Sequence, residues 1–532
     1  MASTSARTVR TVALLLAASA LVSRFMGYGR DLLLNSLYGA TDLTDMYRAS
    51  FVVPDMLNYL LAGGALTLSL LPQMSRVYAR LDAQHRPDTS QVGRHPDVDR
   101  LFSKIASTLL LVATVLVVVG ELFTEEFVGL VVNGFSAADI AETARLTRIV
   151  LPAQLCFIFG GLVQATLLAR QRFGALALTP LLYNGGIIVG GAIGAQFNAI
   201  EGFSWGALIG AALGALVVPL AVARDQVRFR PTRPTLDKDV RTFLWTALPL
   251  MIGVSLTTVD EWVGIHFGSH LAEGSISWLN SGRRLMLVPI GLIGTAAGQA
   301  TGAFVARLYA EGKRDELAAL LGNALAGVIA LSLVIAAFMM AAPTPIVGLL
   351  FEHGRFGPED TARTAAVLIP LSAGIAAWSA QSVLARALYG VGDTWRPMFA
   401  TTIVTGAALP LYGWLSAWGI TGLALAGAIG MTLQVLALAW LARGRLGLDL
   451  RPLGRGLLRA VPVAALAAAA AWGMELWVPP LVSTARPTLG YGLRLAAAGS
   501  AWLFVVLSVG GLVGLPGLAP MVNRIRVKLR RL

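Results

Sequence analysis

The polar residues of this chain come in short clusters and its apolar residues in long runs. Ile149–Ala169, Phe173–Ile200, Gly202–Ala223, Leu285–Ala306, Thr364–Ala385 and Leu495–Val522 contain no charged residue. Each reaches the roughly 20 residues that a helix rising 1.5 Å per residue needs to cross a hydrocarbon layer. Leu317–Phe351 holds 35 uncharged residues and fits one long or tilted helix. Pro397–Ala442 holds 46, enough for two helices turning near Ser416-Ala417-Trp418-Gly419. Charge-interrupted spans lie at 8–37, 45–75, 105–128, 238–268 and 457–478. The pattern predicts an all-α polytopic membrane protein with fourteen spans.

Composition agrees: apolar residues make up 56% and charged ones 13%, about half the charge of a soluble protein. The first run is not expected to be a cleaved signal peptide, because the apolar pattern continues through Arg24 with no small-residue cleavage site. The lone cysteine, Cys156, excludes an intrachain disulfide framework and reads as a small core residue. The net charge of +13 is concentrated in alternate loops: 76–104, 170–172, 224–241, 307–314, 443–459 and the tail NRIRVKLRRL. The loops between them are nearly free of Lys and Arg. The positive-inside rule therefore places both termini in the cytoplasm, with an even number of spans. It also accounts for the basicity without nucleic acid, for which no recognised module is present.

An internal repeat divides the spans. SRVYARLD (75–82) pairs with ARLYAEGK (306–313), and LPAQLCFIFGGLVQATLLARQRFGALALTP (151–180) pairs with IPLSAGIAAWSAQSVLARALYGVGDTWRP (369–397). Six spans per repeat make the halves parallel. The expected organisation is an N-terminal lobe over 1–224, a cytoplasmic linker over 225–237, a C-terminal lobe over 238–443, a terminal helix pair over 444–522 and a basic tail over 523–532. The stripes Gly186-x-x-x-Gly190, Gly206-x-x-x-Gly210-x-x-x-Gly214 and Gly294-x-x-x-Gly298 predict close helix approach.

Charges inside apolar spans are costly unless paired or wet, so they mark the candidate site. The first span carries Arg24, Arg30 and Asp31 around Gly27 and Gly29, read as a hinge. The two arginines lie about 120° apart on a straight helix, and bending there would bring both toward one cavity. The second span carries Asp45, Arg48 and Asp55 on one face with Asn58 at its edge, and Pro54 predicts a kink. The second half offers Asp260, Glu261, His266 and His270, then Arg283 and Arg284. Ion pairing of Asp260 and Glu261 with these arginines is the leading reading, with proton or cation coupling second; a metal would need more convergent ligands. Arginines in both halves suit a diphosphate, which guanidinium binds bidentately while keeping its charge. No nucleophile–base pair or cofactor motif points to an enzyme.

SRFMGYGRD followed by YGATDLTDMYRASFVVPDMLNYLLAGGALTLSLLP resembles the opening of the MurJ/MviN lipid II flippases, in the multidrug/oligosaccharidyl-lipid/polysaccharide exporter superfamily. GSISWLNSGRRLMLVPIGLIGTA, LLFEHGRFGPEDTARTA and LARALYGVGDTWRP are similar to later segments of the same family. The resemblance implies fourteen helices in two lobes, a central cationic cavity for the headgroup, and a terminal pair beside a groove for the polyprenyl chain. It implies translocation of lipid II to the periplasmic leaflet by alternating access. By position, Arg24, Arg30 and Arg284 match the family's cavity arginines and Asp45 its second-span acid. Arg48, Arg283 and Asn58 join them as expected headgroup contacts, with Asp31, Asp45, Asp55, Asp260 and Glu261 as charge-pairing groups. This chain departs from the family with Asn58 at an arginine position, Gly63 at a glutamate position, Arg283 at an acidic or amide position, and Gly264 near an acidic one. A flippase for an O-antigen or exopolysaccharide unit is the nearest alternative, and a drug or cation antiporter a more distant one. No cofactor is expected; Na+, H+ and the membrane potential stand open as driving forces. Expected partners are the polyprenyl-diphosphate-linked glycan, membrane lipids and other cell-wall synthesis proteins, with the protein a monomer.

Overall fold

A computed structural model describes residues 2–61, 65–84, 94–252, 256–477 and 487–518. Gly63 and the tail at 523–532 lie outside the described residues. Among those described, the regular structure is helical throughout. The chain forms two compact units, Met1–Leu37 with Asp42–Gly253 and Tyr38–Thr41 with Val254–Leu532.

The first unit holds α1 (Ala2–Tyr38), α2 (Asp42–Ala49), α3 (Val52–Leu61), α4 (Ala65–Gln84), α5 (Pro96–Leu122), α6 (Thr124–Val131), α7 (Ala137–Val150), α8 (Ala153–Ala169), α9 (Gly174–Gln196), α10 (Glu201–Ala211), a π-helical turn over 212–217, α11 (Val218–Ala223) and α12 (Lys238–Ile252). By packing, α12 belongs with α4 and α5. The second unit holds α13 (Leu256–Gly268), α14 (Ser275–Pro289), a π-helical turn over 290–295, α15 (Ala296–Ala310), α16 (Arg314–Ala341), α17 (Pro343–Phe351), α18 (Pro358–Ala373), α19 (Ile375–Gly390), α20 (Trp395–Leu415), a 3-10 turn at Ser416–Trp418, α21 (Gly419–Leu446), α22 (Arg451–Trp477) and α23 (Pro487–Val513).

Nine helices among the described residues are long and apolar enough to cross a membrane, or ten if the bent pair α18–α19 is one span. This is short of the expected fourteen. That set takes 395–446 as a single stretch and omits 2–38, 42–84 and 238–268. The turn expected at 416–419 is present, with Gly419 at φ +72°. The run 317–351 is two helices rather than one, because Pro343 opens α17 after Ala342 leaves helical geometry. Among the described residues the last run is helical over 487–513 and stops at Gly514, φ +66°.

The second span shows why an apolar run need not be one helix. Pro54 has no N–H to donate to the carbonyl of Ser50, four residues back. That carbonyl instead accepts the Thr147 hydroxyl at 3.1 Å, and Ser50 Oγ donates to the Tyr47 carbonyl at 2.7 Å. The kink expected at Pro54 therefore falls one turn earlier, between α2 and α3.

The glycine stripes pack as their spacing predicts. A Cβ on Gly190 would sit 2.3 Å from the Gly202 carbonyl oxygen, and one on Gly206 2.3 Å from that of Gly186. Thus α9 and α10 touch backbone to backbone. Gly298 does the same against the Ser382 carbonyl, at 2.6 Å, joining α15 to α19. In each unit the helices carrying the repeated motifs are neighbours, α4 with α8 and α15 with α19. In the first, Arg170 bridges them by pairing with Asp82 at 2.9 Å while its guanidinium lies 3.9 Å from the Tyr78 ring centre.

The linker after α11 is extended and stitched to α5. The backbone N–H groups of Arg228, Arg230 and Thr232 donate to Asp99, Ser103 and Ser107 at 2.7, 2.9 and 3.0 Å. Two residues of extended chain advance about 6.6 Å and four residues of helix about 6 Å, so the two ladders stay in step. Lys104 closes the end of the seam on Asp237 at 2.6 Å and holds that carboxyl below its ordinary pKa, chiefly through the hydrogen bond.

Candidate functional site

The candidate residues of the first unit lie on α1, α2 and α3. Arg24 is exposed and forms no ion pair among the described residues. Beside it, Ser23 Oγ accepts from Asn184 Nδ2 at 3.2 Å, docking α9 on α1. Arg30 is part-buried, and its Nε and Nη2 both donate to Asp31 Oδ1 at 3.1 and 2.9 Å. A guanidinium has five N–H donors, so this fork leaves most of its capacity for another anion. Helix α1 is unbroken through Gly27 and Gly29, so the expected hinge is not a break in the helix. Neither glycine is needed for space: a Cβ on Gly27 would meet only Asn184 Oδ1 at 3.9 Å, and one on Gly29 nothing within 4 Å.

The shared face expected for Asp45, Arg48 and Asp55 does not form. Asp45 and Arg48 are buried on α2 while Asp55 is exposed on α3, because the break at Ser50–Phe51 resets the helical phase. Arg48 donates to Asn35 Oδ1 at 3.0 Å, pinning α2 to α1. Asn58 donates to Gln154 Oε1 at 2.8 Å, pinning α3 to α8. A neutral amide pair thus occupies a position where an arginine would bring charge.

In the second unit, Asp260 of α13 sits at the centre of a buried cluster. Arg283 Nη2 donates to its carboxylate at 2.7 Å and to its backbone carbonyl at 2.8 Å, and the Tyr412 hydroxyl donates to Oδ1. Two glycines make the room. A Cβ on Gly264 would lie 2.7 Å from Arg283 Nη2, and one on Gly427 2.7 Å from Asp260 Oδ1. Arg283 therefore lies where a side chain at position 264 would otherwise be. Arg283, expected from sequence as a headgroup contact, is engaged with Asp260. Arg284, next in the chain, is turned about 100° around the helix and is half-buried. Glu261 is exposed and accepts from Asn280 Nδ2 at 3.3 Å. His266 and His270 meet edge to face, with ring centres 5.7 Å apart.

The sequence reading missed Asn35, Gln154 and Tyr412, which contact charged or amide side chains of other helices. An Asn or Gln within an apolar span was the available signal for the first two. Tyr412 carried none, since a tyrosine in a span is ordinary.

A family model described as lipid II flippase MurJ matches residues 34–488. The chain is 28% identical over 443 residues to a probable lipid II flippase MurJ of Bdellovibrio bacteriovorus, covering 81% of each protein. It is 26% identical over 431 residues to the lipid II flippase MurJ of Burkholderia cenocepacia, covering 79% of this chain and 80% of that protein. Among solved structures it is similar to a lipid II flippase MurJ in an inward closed conformation, with TM-score 0.74 and 20% identity over 93% of this chain and 98% of that one. It also resembles an inward-facing multidrug resistance transporter of the MATE family, with TM-score 0.64 and 15% identity over 82% and 98% of the two chains. A match across most of the sequence, with the fold to go with it, makes this multi-pass membrane chain a member of the lipid II flippase MurJ family.

Proposed function

We propose that this chain carries lipid II from the cytoplasmic to the periplasmic leaflet of a bacterial inner membrane, with both termini cytoplasmic. The observation that carries this reading is the family match over residues 34–488, which takes in Arg48, Arg283 and Arg284, with Arg24 and Arg30 just ahead of it on α1. Arg24 and Arg30 bind the diphosphate. Asp31 holds the Arg30 guanidinium in place at 2.9 Å when no substrate is present and yields it to the stronger anion. Arg48 and Asn58 act one step back by fixing α2 and α3. Arg284 contributes by its correspondence to a family arginine, while Arg283 holds Asp260. With Asp260 already neutralised by a tethered guanidinium and a hydroxyl, no added cation is needed there, and the membrane potential acting on the cationic carrier is the driving force we favour.

The test is to deplete the endogenous lipid II flippase of a bacterial host and supply this chain, Arg30→Ala or Arg526→Ala at equal expression. Lipid II exposed on the periplasmic face is then assayed. The parent and Arg526→Ala are expected to rescue. Arg30→Ala is expected to weaken headgroup binding about 10- to 100-fold, the size of one charge-assisted hydrogen bond. Equal rescue by both variants would remove the site assignment. No rescue by a well-expressed parent would point to another polyprenyl-linked glycan.

A further inference from the structure

The first unit has a second cationic feature that shares no residue with the candidate site. Where α4 ends and α5 and α12 begin, two adjoining recesses of about 480 and 320 Å3 open side by side. Arg80 and Asp239 line both. Arg76 and Lys238 complete the smaller, and Arg100 and Lys104 the larger.

The charges do not balance. Lys104 is taken by Asp237 at 2.6 Å. That leaves Arg76, Arg80, Arg100 and Lys238, none of which forms an ion pair among the described residues, facing the carboxylates of Asp97 and Asp239. Four cations against two anions give the recesses an excess of about two positive charges, enough to hold the single charge of a phosphodiester or the nearly double charge of a phosphomonoester. Arg76 and Arg80 of α4 and Arg100 of α5 line these recesses, a donor set suited to forked donation to phosphate oxygens.

The residues around the recesses have the character of a membrane–water boundary. Val77 and Leu101 line both, so the wall is apolar on one side and cationic on the other. The uncharged part of α5 begins immediately after Lys104. On α12, Trp245 stands 79% exposed less than one turn beyond Thr242, as aromatic residues do at a membrane–water interface. We propose that these recesses bind a phosphate-bearing anion at the membrane surface, most simply the headgroup of an anionic phospholipid with its glycerol neck against Val77 and Leu101.

Native mass spectrometry of the full chain released from phosphatidylcholine nanodiscs doped with phosphatidylglycerol tests this. The parent is expected to retain phosphatidylglycerol in preference to phosphatidylcholine. Arg80→Gln/Arg100→Gln should lower that retention by roughly fivefold per arginine. Arg233→Gln, an exposed linker arginine outside both recesses, should leave it unchanged. Asp239→Asn should raise it, a gain that misfolding cannot produce. A parallel arm titrates sn-glycerol 3-phosphate onto the protein in phosphatidylcholine alone. Saturable binding lost in the double variant would support the site with a soluble phosphate compound as its ligand. If phosphatidylglycerol retention is the same in all four proteins and glycerol phosphate does not bind, the proposal is overturned.

Discussion

At the scale of single residues, Arg283 and Gly264 explain one another. The guanidinium reaches Asp260 only because position 264 has no side chain, and Asp260 tolerates burial only because Arg283 and Tyr412 neutralise and hydrogen-bond it. Removing one partner of a buried ion pair costs about 3–5 kcal/mol, while removing both costs far less. Arg283→Ala is therefore expected to lower the thermal unfolding midpoint in detergent strongly, and Arg283→Met/Asp260→Leu to recover much of the loss. A single variant no less stable than the double would show that the pair is not structural. The glycines of α1 give the opposite kind of test. Since Gly27 and Gly29 have room for a methyl group, Gly27→Ala/Gly29→Ala should stabilise the helix by about 1 kcal/mol per site. A fall in flipping despite higher stability would establish bending there as part of the transport cycle; unchanged flipping would remove the hinge.

At the scale of elements, close approach and interruption decide the packing. The α9–α10 contact leaves no space for a Cβ at Gly190, whose neighbour is a backbone carbonyl that cannot rotate away. Gly190→Ala should destabilise the protein by about 1–3 kcal/mol, the usual cost of overpacking. Gly406→Ala on α20, where nothing lies within 4 Å, should not, and unfolding of the two purified variants would separate them. The glycine stripe was legible in the sequence because its four-residue spacing is a property of the helix itself. The loss of a common face for Asp45, Arg48 and Asp55 was not. Pro54 announced a distortion, but the site of the break depended on Thr147 being present to satisfy the Ser50 carbonyl.

At the scale of the whole molecule, the seam between the linker and α5 ties the linker to the first unit. It holds the linker and α12 to the first unit, with Lys104–Asp237 as its ionic end. Asp237 has a depressed pKa, so this contribution is present above the ordinary carboxylate value and is lost as pH falls through the lower folded value. Hydrogen exchange of 226–237 should therefore quicken as pH is lowered below about 4, after correction for intrinsic rates. Lys104→Met should reduce that pH dependence. Exchange with the same pH dependence in both proteins would show that the pair does not hold the linker. The sequence by itself determined the solvent, the helical class and the in-span arginines, because hydrophobic run length and the cost of charge in lipid are local properties that need no partner. Only the tertiary structure decided which of those charges are spent on one another, through Arg283 on Asp260 and Arg48 on Asn35. It also placed the linker on α5, because pairing depends on distances between residues far apart in the chain, and no spacing rule encodes them.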